Sequence, residues 1–144
     1  MASFNKFNQF VEDVAKKVHN LNSDTLKIML VSSAPSASNS VYADVSANEV
    51  ASGNGYTTGG NTASFTSGAQ TSGTYKLVLA DPSTWTASGG SVGPFRYAVL
   101  YNSTPTSPLK PLIGWWDYGS SVTLADGEQF TVDLDQSNGV LTLA

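Results

Sequence analysis

The sequence predicts an all-β protein, an antiparallel β-sandwich of jelly-roll or Greek-key kind, with one N-terminal amphipathic helix. After residue 24 the chain breaks into short runs that alternate apolar and polar residues or are rich in β-branched and aromatic side chains. Turn dipeptides separate these runs, and a helical period is confined to the opening residues. At 144 residues there is room for one ordinary globular domain. The expected organisation is a helix over residues 1–22 and a β-sandwich over residues 23–144.

In the opening segment Phe4, Phe7, Phe10 or Val11, Val14, Val18 and Leu21 recur at spacings of three and four. That spacing places them on one face of a helix of about 18 residues. Ser3 is positioned to cap its start, and Asn20, Asn22, Ser23 and Asp24 to end it. Glu12 with Lys16 and Asp13 with Lys17 form i,i+4 pairs on the polar side. The phenylalanine stripe must be buried, against the chain's own sheet or against another subunit.

Strands are expected at residues 26–32 (LKIMLVS), with Leu26, Ile28 and Leu30 on the buried face, and at 61–66 and 74–80. Further strands are expected at 95–101, 112–118, 121–124, 129–134 and 140–143. The side chains of Leu77, Leu79, Val99, Phe130 and Val132 should point inward. Asn54-Gly55, Gly59-Gly60, Gly89-Gly90, Asp126-Gly127 and Asn138-Gly139 mark the turns. Residues 32–73 are rich in Ser, Ala, Asn, Gly and Thr and weakly patterned, as befits a long contact-forming connection.

Only 12% of residues are charged, about half the usual share, and Ser, Thr, Asn and Gly replace them. Neutral polar groups are buried against a neighbour at lower desolvation cost than ions, so such a surface suits repeated assembly. The net charge is −4, and the seven basic residues are scattered, so no nucleic-acid partner is expected. No run is apolar and long enough for a membrane span, and no signal-type run opens the chain. With no cysteine, disulfides, thiolate metal sites and a cysteine nucleophile are excluded.

No catalytic residues, cofactor or metal are expected. His19 is the sole histidine and is placed on the helix surface, without the partners of a Ser-His-Asp triad. No phosphate-cradling glycine motif is present. Asp133 and Asp135 before Asn138-Gly139 have the alternating oxygens of a calcium loop, but the glycine is misplaced and the closing glutamate absent, so a hairpin turn is the simpler reading. Asp117 and Glu128 are a conceivable glycosidase pair that no spacing singles out. The segment 114–119 (GWWDYG) is the most distinctive: on a strand Trp115 and Trp116 point to opposite faces. Core packing, a subunit interface and a sugar platform all remain open for them. The candidate interface residues are Phe4, Phe7, Phe10, Trp115, Trp116 and Tyr118.

Residues 1–21 (MASFNKFNQFVEDVAKKVHNL), 48–60 (NEVASGNGYTTGG), 93–102 (GPFRYAVLYN), 114–121 (GWWDYGSS) and 124–133 (LADGEQFTVD) together resemble small virion structural proteins of tailed bacteriophages. The resemblance covers nearly the whole chain and is structural, not chemical. It implies a β-rich module made in the host cytoplasm and carried on the virion. A head decoration or cement protein is the favoured expectation, working as a homo-oligomer and on other virion proteins such as the major capsid protein. A tail, fibre or adaptor component touching host glycans is the alternative, and a soluble carbohydrate-binding module a third class.

Overall fold

The computed structural model describes residues 2–144, so the expected N-terminal unit begins one residue outside them. In chain order the elements are β1 (Asn5–Lys6), α1 (Asn8–Ala15), β2 (Leu26–Val31), β3 (Asn61–Thr62), β4 (Phe65–Thr71) and β5 (Thr74–Leu79). There follow β6 (Trp85–Thr86), β7 (Val92–Asn102), β8 (Leu112–Leu124), β9 (Gln129–Phe130) and β10 (Leu141–Leu143). Five strands form one sheet in the order β1-β8-β7-β2-β3, three form a second in the order β10-β5-β4, and β6 pairs with β9. Every pairing is antiparallel. The protein is an all-β sandwich with one N-terminal helix.

The run LKIMLV explains why the large sheet is layered on both sides. Along β2 the side chains alternate between faces, and all but Lys27 are buried. Leu26, Ile28 and Leu30 join Ala98, Leu100, Leu77, Leu79, Trp85 and Leu141 in the main core between the large sheet and the two small ones. Met29 and Val31 turn the other way, into a second cluster with Phe7, Val45, Val99, Tyr101 and Leu112. That outer face is covered by the connection after β2, which carries two 3-10 turns, Tyr42–Asp44 and Ser46–Asn48. The weakly patterned connection is therefore a lid on the sheet.

The helix differs from expectation. It runs only over Asn8–Ala15, its N-cap is Phe7 and not Ser3, and no side chain caps it. It stops in a Schellman turn: Lys17 has φ +64°, and the Val18 and Lys17 amides donate to the carbonyls of Asp13 and Val14. Glu12 pairs with Lys16 as expected, whereas Asp13 is buried and does not pair with Lys17. Phe4 lies outside the helix. Asn5 and Lys6 pair with Trp115 and Gly114 to extend the sheet edge, and strand hydrogen bonds there prevail over a helical period that the phenylalanines satisfy by coincidence of spacing. Gly114 makes the approach possible, because a Cβ would meet the Phe4 ring at 2.3 Å.

Other boundaries shift for related reasons. The expected strands at 112–118 and 121–124 are one strand, β8, whose register against β7 slips at irregularities. The strand expected at 129–134 keeps only Gln129–Phe130. The hairpin β4-β5 turns at Ser72-Gly73, with φ of +52° and +85°; the strand expected at 61–66 is divided between β3 and the start of β4, and residues 67–71 of β4 lack the apolar alternation that would signal them. Leu77 and Leu79 are fully buried in the main core, Val99 is buried on the other face of the large sheet beneath the lid, and Phe130 and Val132 pack half-buried against the main core.

Because Phe7 and Phe10 are 0% and 1% exposed, the N-terminal segment belongs to the chain's own core. Phe10→Ala should lower unfolding free energy by about 3–5 kcal/mol in urea titrations. Deleting residues 2–22 should leave an aggregating, non-cooperative chain; a deletion variant that melts like the full-length protein would contradict this packing.

Candidate functional site

A groove of about 470 Å³ lies between the β7-β8 sheet and the segment after β9. Its walls include Phe4, Trp116, Tyr118 and Phe130, with Arg96 and Asp133 among the polar residues. Trp116 and Tyr118 lie two apart on β8 and so share a face. The rings meet in edge-to-face pairs, Phe4 with Trp116 and Tyr118 with Phe130, each at a centroid separation of 5.4 Å. Phe95, buried behind, supports Phe130 at 4.8 Å. Tyr118 is 58% exposed, the large ring most open to solvent.

On the face of β8 opposite Trp116 and Tyr118, Arg96 donates from Nε and Nη2 to the two carboxylate oxygens of Asp117 at 2.8 and 3.1 Å. The guanidinium holds the Asp117 carboxyl below its usual range, with the Gly119 amide adding to the effect. Asp135 is engaged in its own turn: it accepts from the Ser137 and Asn138 amides and from Asn138 Nδ2, and these bonds lower its pKa. The calcium-loop spacing is thus used as an Asx turn, and no cluster of three or more metal-binding side chains occurs among the described residues. Glu128 likewise caps its turn by accepting the Ala125 amide at 2.7 Å.

The structure divides the six candidate interface residues three ways. Phe4, Trp116 and Tyr118 come together in the groove. Phe7 and Trp115 pack against each other at 4.6 Å on the opposite face of the sheet. Phe10 sits in the main core. The two tryptophans do point to opposite faces. Phe7 and Phe10 have no exposed area with which to meet another subunit.

Two polar clusters have no counterpart in the sequence reading. Glu49 accepts the Tyr42 hydroxyl, the Tyr56 hydroxyl at 2.8 Å and the Gly59 amide at 2.6 Å. The Tyr56 hydroxyl in turn accepts the Leu30 amide at 3.0 Å, and Tyr101 donates to the Gly59 carbonyl at 2.7 Å. This network ties the lid to the sheet. Its only trace in the sequence is two carboxylates, Asp44 and Glu49, and tyrosines amid small residues. The second cluster corrects the placement of His19, which is buried and not on a helix surface. Asn102 Nδ2 donates to His19 Nδ1 at 3.1 Å and to Asp24 at 2.7 Å, and burial lowers the histidine's pKa. The string Gly89-Gly90-Ser91-Val92-Gly93 does have G-x-S-x-G spacing. It leads into strand β7, however, and not into the strand-to-helix turn of a nucleophile elbow.

No family model matches the chain, and no curated protein or solved structure is significantly similar to it.

Burial raises the pKa values of Tyr42, Tyr56 and Tyr101, the last to about 12, and the Glu49 carboxylate adds to each shift. A phenol whose folded pKa exceeds the unfolded value of about 10 stabilises the native state fully below that pH, and the stabilisation is lost as pH rises through the folded value. Stability should therefore fall above pH ~10, with a class of tyrosines ionising only as the chain unfolds when followed by phenolate absorbance. Glu49→Ala should cost about 1–3 kcal/mol for each donor it strands, read by thermal melting.

Proposed function

We propose that this chain is a structural protein of a tailed-bacteriophage virion, of the head decoration or cement type, stabilising the particle through contacts between subunits. The observation that carries this reading is strand β4, Phe65–Thr71 (FTSGAQT). It is the edge of the three-stranded sheet, has no strand partner on its outer side among the described residues, and contains no charged residue. Proteins that stay apart commonly blunt such edges with lysine, proline or a cover. An uncovered edge is a template for strand addition by another chain. A second copy fits it: a two-fold antiparallel pairing brings each β4 against itself, and an uncharged strand meets no like charge there. The neutral Ser-, Thr- and Asn-rich surface favours the same use. Other virion proteins, the major capsid protein foremost, complete the set of partners, and the protein is carried on the particle after synthesis in the host cytoplasm.

A tail, fibre or adaptor location touching host glycans is the second reading, favoured by the aromatic groove. Copy number per particle, measured against the major capsid protein, separates the two: a decoration protein is present in near-lattice numbers.

The double variant Thr66→Lys with Gln70→Lys tests the edge. Light scattering should show self-association weakened about tenfold or more by like charges across the pairing, and particle binding should weaken with it. Its melting temperature should stay close to that of the native protein, since both positions are exposed. A native protein that is monomeric at micromolar concentration and has no affinity for phage particles would sink the assembly reading.

A further inference from the structure

We infer that the groove between β8 and the segment after β9 is a binding site for a neutral pyranose chain. Three features on its walls fit that chemistry together. The first is the stacking surface. Trp116 and Tyr118 occupy successive same-face positions of β8, with Tyr118 58% exposed, and each is propped from the side by another ring, Phe4 or Phe130. The apolar C–H face of a pyranose stacks on such rings, and the propping fixes their angle before the ligand arrives, so little side-chain freedom remains to be lost.

The second feature is the polar rim. Sugar hydroxyls need acceptors and donors at the edge of the stacking surface. Asp133 is exposed on the groove wall, and among the described residues no hydrogen bond engages its carboxylate. Thr131 and Asp135 line the same wall, a hydroxyl and a second carboxylate at the edge of the rings. A purely apolar occupant would strip water from these groups without replacing it.

The third feature is the sign of the charge. Asp133 and Asp135 line the groove, and the one cationic residue among its described lining, Arg96, turns its guanidinium to Asp117 on the opposite face of the sheet. An acidic sugar, a phosphate or an acidic peptide meets net repulsion there. For a cationic ligand the carboxylates are favourable, but the rings form two pairs strung along the groove and not a cage closing on one point. The volume of about 470 Å³ lies within the range of small-ligand sites. This assignment concerns the groove alone and does not depend on where in a virion the protein sits.

The test uses the full-length protein. Titrations followed by calorimetry and by the tryptophan indole NH resonances would employ cellohexaose, mannotriose and triacetylchitotriose as neutral probes. Sialyllactose serves as the anionic control and choline as the cationic one. At least one neutral oligosaccharide should bind and shift the Trp116 indole signal more than that of Trp115 or Trp85. Tyr118→Ala should weaken that binding at least tenfold with an unchanged melting temperature, because the ring is mostly exposed; Asp133→Asn should weaken it by a smaller factor. Should Trp116→Ala fail to fold, Tyr118→Ala alone decides. Absence of binding by all three neutral probes overturns the assignment. So does binding that survives Tyr118→Ala, or a preference for choline or sialyllactose. Any of these outcomes leaves the edge-strand reading standing, because that rests on β4 and on self-association.

Discussion

Burial of strand β2 on both faces is the constraint from which most of the architecture follows. A six-residue run that is apolar at every position but Lys27 cannot lie on the one-sided sheet of an ordinary two-layer sandwich. It needs a cover on each side. The small sheets supply one, through Leu77, Leu79 and Trp85, and the connection following β2 folds back to supply the other, through Tyr42 and Val45. The lid meets the sheet through only a few backbone bonds, the Val31–Glu49 and Val41–Pro111 bridges among them, and needs side chains to complete its adhesion. Glu49 meets that need. Its two oxygens collect three donors from the lid and the following loop, and Tyr56 passes the connection on to the backbone of β2 at Leu30. The carboxylate is thereby fully employed, which is how a charge survives in a half-buried setting.

The groove is a by-product of how the large sheet ends. β8 is longer than any strand that pairs with it on its outer side, and β1 covers only Gly114 and Trp115. Beyond that short pairing the chain leaves the sheet, and Phe4 folds across Gly114 onto Trp116. On the far wall, the expected strand gives way after Phe130, so residues 131–138 form an irregular wall set off from the sheet by a gap. Aromatic rings on adjacent same-face positions of β8 fill part of that gap and leave the rest open. The opening thus arises where ladder pairing stops, the usual place for a fold to present chemistry on a rigid support.

Charge is distributed sparingly and with local purpose. Arg96 and Asp117 satisfy each other across the β7-β8 pair, and Asp135 and Asp44 cap turns. Among the described residues the exceptions lie around α1, where buried Asp13 Oδ2 and His19 Nε2 have no hydrogen-bond partner, and in the core, where the indole NH of Trp85 has none. Each such group carries a desolvation cost. Holding Phe10 and Leu21 in the core with α1 so short draws Asp13 and His19 inward with them, and the apolar contact around Phe10 offsets the loss.

Fold class, the inward residues of β2 and β5, and the opposed faces of Trp115 and Trp116 were legible in the sequence, because a period of two is a local property that burial on one face enforces. The helix was legible only in part. Spacings of three among Phe4, Phe7 and Phe10 satisfy a helix, yet the edge of β8 offered Asn5 and Lys6 backbone partners that no local pattern announces. Most of strand β4, residues 67–71, was hidden for the converse reason: its pairing is backbone to backbone and its side chains face solvent, so composition is silent about it. Trp85 is one of the largest fully buried side chains, and it sits among serine, threonine and glycine that read as turn. The groove and the Glu49 network join residues far apart in the chain, Phe4 with Trp116 and Glu49 with Tyr42 and Tyr56. Sequence by itself determined which segments must be buried and that they be strands. Which surface buries them, and which aromatic rings are left in the open, was decided only when the sheets closed, because that choice depends on contacts between residues remote from one another in the chain.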